Sequence, residues 1–355
     1  MRPIVLFAAP LLLSILVSGE ASSQQKIDVG AIVEELAEAA AFVKARTALV
    51  DAPSFEVPNG GRLVVSQRVF SADLLEIGAG AELLLDVSTA SEGRDFFVVA
   101  RRLVVPTGAE GAKIGWVDSD GPTAPTAVGR AANGRNGTGA GQDGGAGTAG
   151  QIGKSGQSGS GAPHLTLVVL EMEGDSLRID LGGGDGSPGG VGQAGGHGGN
   201  GARGTPARTA WVKFLGGKTA AGCAAGPGRG GRGGNAGAGG PGGVGGKGGK
   251  GGVFRLVGPS EVAEAFFESG EIDVSPGAPG AGGAGGEAGR PGQGGSEGKL
   301  ASHCGSAGRQ GSSGSPASTG RPGSGGLEVG EGTVGRIDID PGRLVRAFGF
   351  GADDG

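Results

Sequence analysis

The sequence predicts a mainly β protein, with a β-solenoid-like or sandwich N-terminal region followed by strands that alternate with polyglycine II (Gly-X-X) rods. Three observations predict it. Four stretches place glycine at every third residue in strict register, over 141–159, 183–204, 228–252 and 277–298. Before and between them lie short β-branched or leucine-rich runs bounded by turn residues. The chain also holds 86 glycines in 355 residues with only 4% aromatic residues, too little large apolar surface for one conventional core of that length.

The first element reads as a secretory signal peptide over 1–23. Arg2 supplies a positive start, an apolar run over 4–17 is broken by Pro10, and cleavage after Ala21 or Ser23 satisfies the small-residue rule. That run is short for a bilayer and no other segment approaches a membrane span. The mature chain is therefore expected to be secreted, at the cell surface or in the periplasm. Within 24–52, Ile32, Leu36, Ala39, Ala40 and Val43 fall at helical spacing, and Asp51-Ala52-Pro53 ends the pattern.

A β-rich domain is expected over 53–121, with strands at 62–65, 74–77, 82–85, 95–105 and 112–117. The regular spacing of such short runs favours a solenoid over a sandwich. From 122 to 342 strands and glycine tracts alternate. Strands at 164–170 and 176–181 are expected to pair across Gly174-Asp175, and strands at 253–257 and 270–274 repeat the plan. Ile-Asp recurs at Ile179, Ile272 and Ile337, and Ala210 to Phe214 reads as a weaker copy of the unit. Ser260 is expected to cap one or two helical turns. A looser glycine period follows at Gly305, Gly308, Gly311 and Gly314, lapses at Ala317, and resumes at Gly320, Gly323 and Gly326. Residues 343–355 form a C-terminal tail.

Glycine is entropically costly to order, so a fixed glycine period marks positions where no side chain fits. A period of three is that of polyproline II geometry. A flexible coil has no use for such a period. A collagen triple helix needs one bare face per chain and abundant proline, whereas each tract holds at most two prolines. The third tract is bare at two of every three positions. Two bare faces suit a bundle of rods whose backbones touch and hydrogen-bond to one another. Because strands bracket each tract, each rod is expected to run out and back.

This layout resembles bacterial exported collagen-like (Gly-X-Y repeat) proteins, which pair a β-rich N-terminal region with glycine tracts. The tracts are similar to the polyglycine II bundles of phage tail-fibre tip adhesins and of glycine-rich antifreeze proteins. The resemblance spans about residues 55–340. It brings no catalytic residue with it.

Cys223 and Cys304 form an even pair in an exported chain, so one disulfide is expected. Gly217-Lys218-Thr219 and Gly153-Lys154-Ser155 imitate the end of a P-loop but lack its first glycine, since Val212 and Thr148 stand there. His164, His197 and His303 are far apart and read as loop or strand-edge residues; no metal or cofactor site is expected. Asn136-Gly137-Thr138 is a formal glycosylation sequon with no assigned role. The third tract carries Arg229, Arg232, Lys247 and Lys250 without an acidic residue, and a folded-back rod would cluster them for an anionic ligand. A net charge of −5 gives no reason to expect nucleic acid. The expected protein is non-enzymatic, structural or adhesive, and a partner of surface polysaccharide or another envelope component. A monomer is favoured over a homotrimeric collagen-like stalk, and an ice-binding module is the further alternative.

Overall fold

Strands that bury alternate residues can wind between two facing sheets, and the strands of this chain from Phe55 to Asp338, the β9–β10 pair aside, do so. The computed structural model describes residues 36–43, 54–88, 95–108, 110–117, 125, 129–305 and 307–350. One sheet holds, in spatial order, β1 (Phe55–Val57), β3 (Val69–Ile77), β5 (Asp95–Val104), β7 (His164–Glu173), β11 (Val253–Gly258) and β13 (Thr333–Asp338). The other holds β2 (Arg62–Val65), β4 (Glu82–Leu85), β6 (Ala112–Trp116), β8 (Leu177–Asp180) and β12 (Glu271–Asp273). Every pairing within the two sheets is parallel. The chain thus alternates between sheets, and each successive strand pair makes one turn of a flattened coil.

Register stacks like residues between the sheets. On the larger sheet Phe70, Val98, Leu167 and Leu256 are lateral neighbours, and on the smaller sheet Leu83, Ile114 and Ile179 are. All seven belong to one buried cluster. The larger sheet is buried on both faces. Its outer row of Val99, Val168 and Val257 packs against Ala39, Ala40 and Val43 of a helix α1 (36–43) and against Leu344 and Phe348 of α3 (Pro341–Phe348). Such double cover is usual for parallel sheets; the smaller sheet instead carries the charged pairs Arg62–Glu82 and Arg178–Glu271 on its outer face.

The connections from the smaller sheet back to the larger one come in two kinds. After β2 and β4 they are short, over 66–68 and 86–94. After β6, β8 and β12 the connections contain the glycine tracts. The first tract is preceded by a glycine-containing segment at 129–138. The second and third tracts are joined by the hairpin of β9 (Arg208–Phe214) and β10 (Gly217–Ala225). The fourth is joined by a short loop around Cys304 to the looser glycine run that ends at Gly326, here the fifth tract.

Backbone hydrogen bonds between tracts keep a constant register. In the second tract every third residue from Gly183 to Ala207 donates its N–H to the fourth tract, to a partner always 92 residues ahead, so the two run parallel. Gly198 N–H to Arg290 O is 2.8 Å. The adjacent frame, from Gly184 to Ala202, donates to the first tract in antiparallel register, as in Gly199 N–H to Gly145 O at 2.8 Å. The third tract likewise donates one frame, Gly228 to Gly252, to the second tract and another, Gly230 to Gly245, to the fifth. The segment at 129–138 and the second and fourth tracts therefore run one way, and the first, third and fifth run back.

This accounts for the two bare faces of the third tract. A methyl on Gly234 would overlap the carbonyl oxygen of Gly145 in the first tract, and one on Gly233 that of Gly292 in the fourth. The third frame, Arg229 through Lys250, lies on the outside. At Ala317, where the glycine period lapses, register brings Ala236 and Ala288 to the same level of the neighbouring tracts. Three methyls thus share one level, and the lapse is matched across three segments.

Several sequence expectations are corrected. Each tract runs its length once, and the return is made by the next tract rather than by a fold within the same one. The strand at 176–181 does not pair with that at 164–170: β8 joins the other sheet, between β6 and β12. Ala210 to Phe214 is no copy of the coil unit but part of an antiparallel hairpin. The third Ile-Asp copy, in β13, lies in the larger sheet, whereas those of β8 and β12 lie in the smaller. Ser260 is the first residue of α2 (Ser260–Ser269), and the cap position is Pro259, without a side-chain cap bond. The stretch read as a tail carries most of α3, whose N-terminus Asp340 caps by accepting the Arg343 N–H. Residues 1–35, which include the expected signal peptide, lie outside the described residues.

Candidate functional site

Each glycine tract ends either at the sheets or at the opposite, distal end of the bundle. The β9–β10 hairpin and the loop at 300–305 occupy that distal end. The chain can turn there because Leu215 and Gly216 both take positive φ, 43° and 81°, as a two-residue hairpin turn requires. The expected disulfide is present: Cys223 of β10 and Cys304 of the loop are bonded, with Cα atoms 4.8 Å apart. Thr209, which faces Cys223 in the hairpin register, donates its hydroxyl to Ser302 O at 3.0 Å. Ala207 N–H donates to Lys299 O at 2.8 Å. The two connections are thus tied together covalently and by hydrogen bonds.

The hairpin exposes what folding usually hides. Trp211 is 60% exposed, Val212 50% and Leu215 92%, and Leu300 of the loop is 57% exposed. Lys213 stands directly opposite Lys218 in the register, beside the Trp211–Ala220 pair on the same face. Around this apolar tip the charge is one-sided. The distal residues 133–143, 200–235 and 292–312 contain nine Lys and Arg against two carboxylates, Asp143 and Glu297. That balance of +7 in a chain of net −5 leaves −12 for the rest.

The four cations singled out in the third tract lie on one exposed face but are not brought together. Arg229 and Arg232 belong to the distal end, with the Arg232 N–H donated to Asp143 Oδ1 at 2.6 Å. Lys247 and Lys250 lie at the other end of the tract, next to β11.

A second group of residues was not legible in the sequence. N–H groups in the outward frame have no glycine partner, and side chains on adjacent tracts accept from some of them. Asn133 Oδ1 accepts from His197 N at 2.8 Å, and His197 Nδ1 accepts from Arg290 N at 2.8 Å. One triplet on, Asn136 accepts from Asn200 N and Asn200 from Gln293 N, at 2.7 and 2.8 Å. Asp185 and Asn235 do the same for Ala278 and Ser315. His197 is therefore a backbone acceptor within a tract, not a loop or strand-edge residue. The signal was an Asn, Asp or His in the one non-glycine frame, which has meaning only once the tract neighbours are known.

Where the tracts meet the sheets lies a polar recess of about 350 Å³, lined by Lys113, Trp116, Asp180, Asp185, Asp273 and Ser275 among others. Each of its carboxylates has a partner, Asp185 Oδ1 accepting from Ala278 N at 2.7 Å. Lys113 pairs with Asp180 at 2.8 Å, and the hydroxyl and N–H of Ser275 hold the Asp273 carboxyl below its usual range. Among the described residues no cluster of His, Cys, Asp or Glu could hold a metal ion, and no helix is long and apolar enough to cross a membrane.

No protein-family model matches the chain, and no curated protein matches it. A search of solved structures returns a springtail antifreeze protein of Granisotoma rainieri, described as a nine polyproline type II helical bundle. It is 28% identical over 52% of this chain and 98% of its own, with a TM-score of 0.06, which carries no argument about fold or function.

Proposed function

We propose that this is an exported, non-enzymatic structural or adhesive protein of the cell surface or envelope, and that its distal end is the contact surface. On this reading the tracts are polyglycine II rods and the alternating sheets a β-solenoid base. At about 3.1 Å per residue, the 25 residues from Gly183 to Ala207 carry the hairpin roughly 75 Å from the sheets. The observation that carries the proposal is the distal hairpin itself: exposed, apolar, cationic and cross-linked to its neighbouring loop. A scaffold that needed only its sheets would have no use for such a terminus.

Support for a single-chain bundle comes from the donors of the central tracts, which find acceptors within the same chain. A homotrimeric stalk would direct one donor per triplet toward other chains. The partner suggested by charge is an anionic component of the envelope.

The test is binding of the mature protein to isolated envelope material and to acidic polysaccharide, at low and high salt. At low salt Arg229→Glu with Arg232→Glu is expected to weaken binding about tenfold or more, since each reversal then acts within a Debye length of the anionic surface. Lys247→Glu with Lys250→Glu is expected to leave it unchanged. Equal loss from both pairs would contradict a distal contact surface.

A further inference from the structure

We propose that the distal hairpin inserts its apex into the surface of an anionic lipid bilayer. Leu215 is the apolar tip, Trp211 sits at headgroup level, and Lys213 and Lys218 face lipid phosphates. The proposal rests on the reading of the distal end as the contact surface and names its partner.

The apex is built against the interest of the fold. A hairpin turn with two positive φ values takes Asn, Asp or Gly at its first position, where a branched side chain is sterically disfavoured. The chain puts Leu215 there, at φ 43°, with 92% of the residue in solvent. The side chain gains almost no burial from the folded protein. Three residues back, Val212 is half exposed as well.

The lysines make the same point in charge. Like charges directly opposite on a strand pair repel, and neither Lys213 nor Lys218 has an ion-pair partner among the described residues. From Ala207 to Gly226 there is no acidic residue, in a chain that is acidic overall. An anionic layer relieves that repulsion, and an apolar layer beneath it receives Leu215. Both are found together at the surface of an anionic bilayer. Trp211 lies four residues from the apex, about 13 Å along the strand, against an insertion depth of about 5–10 Å, so its ring stays in the interfacial region that indoles favour. An acidic polysaccharide would use the lysines and Trp211 but would leave Leu215 in water, which is why lipid is favoured.

The experiment is flotation of the mature, disulfide-intact protein with vesicles of phosphatidylcholine alone and of phosphatidylcholine with phosphatidylglycerol. Tryptophan quenching by brominated lipid is read in parallel. The expected result is binding that depends on phosphatidylglycerol, with quenching of Trp211. Leu215→Gly relieves the positive φ, so the hairpin folds at least as well, yet binding should fall about 20-fold as the tip loses its apolar side chain. Lys213→Glu with Lys218→Glu should weaken binding by roughly 30-fold or more. Equal binding by Leu215→Gly, or equal flotation with phosphatidylcholine alone, would overturn the proposal. A protein that ignores vesicles but binds alginate, with Leu215→Gly binding equally, overturns lipid insertion while leaving the distal contact surface standing. A protein that binds neither overturns both.

Discussion

The sheets and the glycine tracts hold neighbouring extended segments together by opposite means. Between the sheets, rows of Phe, Val, Leu and Ile fill the space, as in Phe70, Val98, Leu167 and Leu256. Between the tracts nothing fills the space, because the backbones themselves touch. Burial of side chains drives the first arrangement. The second rests on hydrogen bonds and close backbone contact, whose net gain of about 1 kcal/mol per bond is set against about 1–2 kcal/mol for ordering each residue. Such a bundle gains from having its ends fixed. Here each tract is continuous with a strand, hairpin or loop, and the distal connections are cross-linked by Cys223–Cys304.

The sharpest way to break this contrast is to exchange residues between the two rules. Gly240→Val, at the centre of the third tract, places a side chain onto the Gln151 carbonyl and should cost more than about 4 kcal/mol, or prevent folding of the bundle. Limited proteolysis across 183–252 would show it. Removing the disulfide with Cys223→Ser and Cys304→Ser comes next. For a separation of 81 residues the chain-entropy model gives about 4.5 kcal/mol, and hydrogen exchange should rise in the distal hairpin before it rises in β5 or β7. Leu167→Ala, fully buried between the sheets, should cost about 3 kcal/mol by thermal melting, with the tract amides still protected.

Smaller effects sharpen the comparison. The Asp95 carboxyl is held below its usual range by the hydrogen bond from His164, 2.7 Å away, with Arg68 and Arg255 adding to it. Its folded value is depressed, so its contribution is present above the unfolded value of about 3.9 and is lost as pH falls through the folded value. Asp95→Asn should flatten the decline in melting temperature below about pH 4. The smallest effect is expected at the level of three alanines. Ala317→Gly should cost only about 0.5–1 kcal/mol, from chain entropy, whereas a glycine-to-alanine change at Gly320 or Gly314 meets a neighbouring carbonyl.

Much of this fold was legible because both rules leave a period in the sequence. The strands announced themselves through short apolar runs, and the tracts through glycine at every third residue. Two bare frames in the third tract foretold a segment with neighbours on several sides. Partnership was not legible. Nothing in residues 176–181 says that the strand crosses to the other sheet, since that depends on the length and direction of a turn at Gly174, whose φ of 90° only the structure shows. The direction of each tract was hidden for the same reason: an evenly repeating sequence carries no mark of where it turns. At the distal end the disulfide followed from cysteine count and expected export. Leu215, by contrast, carries meaning only once its turn conformation and exposure are known.

The most direct test of the central claim is residue-resolved hydrogen exchange across the second tract, 183–204. The account predicts two protected amides in every triplet, the frames of Gly183 and Gly184, with the third frame exchanging quickly except at His197 and Asn200, where asparagine side chains accept. One protected amide per triplet would instead match a triple helix, and uniformly fast exchange a flexible coil; either result would contradict a bundle of hydrogen-bonded glycine rods.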